Sequence, residues 1–128
     1  MLPVMQRHQL ERLRRDVLHL HKAIIDDARE QVERLEGRQP PHRFVERLML
    51  DPAFAWLRPL SALIVAMDEW LDARDAEPAL ADALADELRV LLVADADGGA
   101  FQQRYAELLQ RSPAIILAHA AAIRGLGR

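Results

Sequence analysis

Five histidines in a chain without cysteine are the first residues whose chemistry is worth pursuing, because imidazole alone can hold a metal or haem iron. Their spacing argues against it. His19 and His21 are two apart, so on a helix they diverge by about 200° and cannot grip one ion. Asp16 and His19 share a face and resemble half of the acid-x-x-His pair of di-iron bundles, but no other acid lies three residues before a histidine. The expectation is no metal and no cofactor, with His8, His21 and His42 solvated and His19 or His119 against packed helices.

Paired carboxylates, Asp68 with Asp72 and Asp82 with Asp86, have the spacing for acid and base work. No nucleophile or phosphate-binding glycine loop accompanies them, so they read as solvated helix surface and no catalytic residue is assigned. The run Asp95-Ala96-Asp97-Gly98-Gly99 opens like a calcium loop but lacks the closing glutamate. It reads as a turn.

The densest constellation is Asp51-Pro-Ala-Phe-Ala-Trp-Leu-Arg-Pro-Leu-Ser61, close in sequence to Phe44. Trp56 and Arg58 beside a proline supply an aromatic wall and an anion-binding guanidinium, the mixture found in small-molecule sites. A ligand pocket formed by Phe44, Trp56, Arg58 and Trp70 is one reading. The other is structural: Phe54, Trp56 and Leu57 plug the end of a bundle while Arg58 pairs with an acid of the first helix.

The elements that would position these groups are all helical. With 51% hydrophobic residues, 29% charged and 5% aromatic, the core must be aliphatic, and Leu and Ala favour helix. The length suits one domain over residues 1–128. Leu10, Leu13, Val17, Leu20, Ile24, Ala28, Val32 and Leu35 follow at steps of three and four, one face of a helix running from after Pro3 to Gly37. Further helices are expected through Phe44, Val45, Leu48 and Met49 to Leu50, from Asp51-Pro52 with either a kink or the meeting of two helices at Pro59, from Pro78 along Leu80, Leu84, Leu88 and Leu91, through Phe101–Leu109, and from Ser112-Pro113 along Ile115, Ile116, His119 and Ile123. The whole reads as an all-α, up-and-down bundle with a long N-terminal helix and about five shorter ones.

Net charge is −3, unevenly spread. Residues 1–50 carry ten Lys/Arg against eight Asp/Glu, residues 51–98 three against eleven, and residues 99–128 four against one. Acidic middle and basic end suit helices that complement one another, within the chain or across subunits, better than a nucleic-acid surface. Neither a signal peptide nor a membrane span is read, and cytoplasm is the default.

The segments Leu18-His19-Leu20-His21-Lys22, Asp51 to Ser61 and Leu63-Ile64-Val65-Ala66-Met67-Asp68-Glu69 together resemble a family of short uncharacterised bacterial all-helical proteins, over residues 10–72. The resemblance implies a bacterial, cytosolic helical protein and no assigned activity.

A first helix of roughly 32 residues is about 48 Å long, against about 36 Å for the diameter of a compact domain of this size. Its stripe should therefore overhang, so Leu10, Leu13, Val17 and Leu20 are expected in a homodimer interface or against another protein. Self-association as an interaction or scaffold bundle is the leading functional expectation. Ligand binding at the aromatic and arginine pocket is the alternative.

Overall fold

The computed structural model describes residues 4–127, and among them there is no strand. Six helices follow one another: α1 (Arg7–Glu36), α2 (Pro41–Leu50), α3 (Arg58–Asp72), α4 (Pro78–Leu91), α5 (Ala100–Arg111) and α6 (Pro113–Gly125). A short 3-10 helix, Pro52–Leu57, leads into α3. The fold is all-α with a long N-terminal helix, as its periodicity requires.

Local chemistry sets most boundaries. Gln6 precedes α1 and its N–H donates to Gln9 Oε1 at 2.8 Å. Gly37 ends the helix with φ 83° and ψ 178°. The positive φ favours glycine as expected, although the extended ψ is not that of a left-handed cap. Asp51 accepts from Ala53 N–H at 2.9 Å ahead of Pro52, and Ser112 accepts from Ile115 N–H at 3.2 Å ahead of Pro113. Of the two expectations at Pro59, the second is found: two helices meet there, the 3-10 helix ending at Leu57 and α3 starting at Arg58 with Pro59 in its first turn, where a missing N–H leaves no bond unmade.

The 30 residues of α1 span about 45 Å, and the domain covers nearly all of them. Leu10, Leu13, Val17 and Leu20 are each 0% exposed, packed within the chain's own core against residues of α3, α4, α5 and α6. The expected overhang is thus corrected. These three leucines and one valine are unavailable to a partner because the other helices of the same chain cover them. Beyond Ile24 a second, smaller cluster takes over, in which Ala28 and Val32 meet Phe44 of α2 and Phe54 of the 3-10 helix. Only Leu35 protrudes, at 87% exposure.

Two other stripes fall differently from expectation. On α4 the buried positions are Ala81, Ala85 and Leu88, continued by Leu92 beyond its end, while Leu80 is exposed. On α6 they are Ile115 and Ala122, while Ile116 and Ile123 face outward. Small residues at the contact let helix backbones approach closely, and Gly125 does the same against Leu13, whose Cδ1 would lie 3.2 Å from an added Cβ.

Candidate functional site

The four proposed pocket residues do not converge. Phe44 stands edge-on to Phe54 with ring centroids 6.0 Å apart and Arg29 over its face. Trp70 lies under Arg7, its indole N–H donating to Glu77 O at 2.8 Å. Arg58 donates to Met49 O at 3.2 Å rather than to an acid of α1. Of the four, only Trp56 lines a cavity of about 710 Å³, a groove floored by Pro59, Val90, Leu91 and Phe101. The one-pocket reading is corrected for Phe44, Arg58 and Trp70, which sequence proximity and aromatic character had grouped without the register that separates them.

The groove is built by four elements. The 3-10 helix and α3 supply Trp56 and Pro59, α4 supplies Glu87, Val90 and Leu91, and α5 supplies Phe101. Phe101 anchors the floor, its ring 6.1 Å from that of Trp56 and stacked at 5.2 Å on fully buried Tyr105. Arg104 covers the ring of Trp56 at 5.4 Å. The edge at the α4–α5 loop is tied by Gln102, whose Nε2 donates to Val90 O at 2.7 Å while its Oε1 accepts from Gly99 N–H at 3.1 Å. Asp97 N–H donates to Asp95 Oδ1 in the same loop, which is the turn expected there.

A second hollow of about 320 Å³ shares Pro59, Glu87 and Leu91 with the first and continues past Ala62 and Ala66. Together they form one trough between α3 and α4, running along the eight residues from Pro59 to Ala66 of α3, or roughly 12 Å. Its lining is apolar apart from the rim. There Asp86 is paired with Arg89 at 2.6 Å, whereas Glu87 has neither ion pair nor hydrogen bond among the described residues.

Histidine placement was partly misread. His19 is exposed and His119 packs on Tyr105, its Nδ1 sharing a 2.7 Å hydrogen bond with the phenol. His21, expected in solvent, is instead partly buried and pairs through Nε2 with Ser61 Oγ at 2.8 Å. The sequence carried no signal for this contact, whose partners lie 40 residues apart. Its length is that of a nucleophile and its base, but no carboxylate orients His21 among the described residues. No group of three or more potential metal ligands occurs among them either. Three of these four carboxylates have structural partners: Asp68 bonds Arg14, Asp82 accepts from Met5 N–H at 2.7 Å, and Asp86 pairs with Arg89.

Burial lowers the pKa of His21 and of His119 below the ordinary 6.5, and raises that of Tyr105 above 10.0. Below pH 6.5 the unfolded chain therefore takes up protons that the folded chain resists, and stability falls as pH drops from that value through the two depressed ones. Above pH 10.0 the unfolded tyrosine ionises first and stability falls again. Urea midpoints measured against pH are expected to show a plateau between those limits. The double variant His21→Gln, His119→Gln should have a flatter acid limb; an unchanged limb would show that these imidazoles do not cause it.

No single helix among the described residues is long and apolar enough to cross a membrane. Compared with family models, with curated proteins and with solved structures, the chain matches none.

Proposed function

We propose that this chain is a self-associating interaction module in which the trough between α3 and α4 of one copy takes the outward face of α6 of a second. The observation that carries the reading is the match between the two surfaces in shape and charge. The trough is apolar, about two helical turns long, and bears the uncompensated carboxylate of Glu87 at its rim. The outward face of α6 is an apolar strip of Ile116, Leu117, Ala120 and Ile123, at the i, i+1, i+4, i+7 spacing of a groove-binding helix. Leu117 is 72% exposed, and Arg124 sits beside the strip with no side-chain partner among the described residues. Glu87 and Arg124 are where the acidic middle and the basic end of the chain would meet. Exchanged reciprocally, two such contacts close a two-fold dimer.

Sedimentation or native mass measurement tests this directly. Wild type is expected to dimerise. Leu117→Glu, or Val90→Glu in the trough, should weaken the dimer by about 100-fold, since each puts a charge into an apolar contact. Both side chains are exposed in the single copy, so the helical circular dichroism should not change. Glu87→Arg should weaken association, and adding Arg124→Glu should restore it. A wild-type chain that stays monomeric at all accessible concentrations would sink the reading.

A second reading, a small organic ligand in the same trough, is supported by its volume, which lies in the range of ligand sites. Retained extra mass on a monomer, with altered Trp56 fluorescence on its removal, would select it.

A further inference from the structure

We infer that a separate pocket between α1, α2 and α3 binds a carboxylate carrying a short aliphatic chain. This pocket, about 360 Å³, shares no lining residue with the α3–α4 trough. Its walls are apolar, built from Ile25 of α1, Val45 and Leu48 of α2, and Phe54 and Leu57 of the 3-10 helix. Its polar groups are His21, Ser61 and Arg58, and no acidic residue lines it.

Each of these groups suits an anion. Arg58 is exposed and donates one bond, to Met49 O, leaving the rest of its planar fork without an ion pair among the described residues. Ser61 and His21 are already aligned by their 2.8 Å hydrogen bond, so the hydroxyl is held in place before any ligand arrives. Ser61 Oγ has a second, weak contact of 3.5 Å to Leu57 O, which a better acceptor can displace. A carboxylate would meet a guanidinium and a hydroxyl on the α3 side, where Arg58 and Ser61 stand three residues apart, and apolar side chains of the other elements along its chain. An amine would find no acid to pair with, and an alcohol would leave the guanidinium without its counter-ion.

Titration calorimetry of the full chain with octanoate, octanol, octylamine and acetate tests the assignment. Octanoate is expected to bind, with acetate weaker for want of a chain and octanol and octylamine weaker for want of charge. Arg58→Gln should weaken octanoate by about 10- to 100-fold, and Arg58→Lys should recover part of the loss. Because Arg58 is exposed, both variants should fold, which circular dichroism checks. Ser61→Ala should weaken octanoate without affecting octanol. The His21 ring signals should move on adding octanoate and not on adding acetate. No heat with octanoate, equal affinity for octanol, or an Arg58→Gln chain that binds as wild type would each overturn the inference.

Discussion

Leu20→Glu is expected to unfold the chain rather than to separate subunits. Leu20 is completely buried in the main core, where no cation stands ready to receive a carboxylate, and its neighbours along α1, Leu13, Val17 and Ile24, are equally enclosed. The substitution removes an apolar side chain from the core, a loss of about 2–5 kcal/mol, and adds the cost of burying an acid, at least several kcal/mol more. The sum approaches the whole stability of a domain this size, about 5–15 kcal/mol. Far-ultraviolet circular dichroism should therefore show lost helix at neutral pH. If Leu20→Glu keeps its helicity and only changes its mass, then the stripe on α1 is an intermolecular surface and the arrangement of helices around it is wrong.

Phe44→Ala is expected to act locally. Phe44 holds the smaller cluster together: it packs on Ala28 and Val32, meets Phe54 edge-on, and lies beneath Arg29. Its loss should cost about 3–4 kcal/mol. That cluster has only four buried members, against the much larger core around Leu20, so the cost falls on α2 and the C-terminal third of α1. Amide hydrogen exchange should accelerate between about Ala28 and Phe54 and stay slow around Leu13, Leu63 and Tyr105. Uniform acceleration across the chain would show that the two clusters melt as one unit.

Helix boundaries were legible in the sequence because they are enforced by backbone chemistry that single residues announce. Gly37, Asp51-Pro52 and Ser112-Pro113 fall where their types require. Which face a helix buries was legible on α1, whose polar residues leave one choice. It was not on α4 and α6. There leucine, isoleucine and alanine occupy most directions, and an apolarity scale ranks Leu80 above Ala81, whereas the packing interface selects the side chain that lets the backbones close. The same limit applies to the sites. Trp56 lines a cavity, but its companions Pro59, Val90 and Phe101 come from three separate stretches. The pairing of His21 with Ser61 depends on the register of α1 against α3, which no local pattern encodes.

The close packing of α6 on α1 joins two helices far apart in sequence, with Gly125 against Leu13 and Arg89 reaching across to Leu126 O at 2.7 Å. On a ribosome this order of events is unfavourable. α1 emerges well before the segment that seals it, because Gly125 is synthesised about 110 residues after Leu13, on the order of 10 s at ~5–20 residues per second. During that interval a long aliphatic face is open to any passing chaperone or to another nascent copy. Slowing translation upstream of Pro113 would lengthen the exposure, while joining the ends and opening the chain at the Asp95–Gly99 turn would let α6 and α1 emerge together.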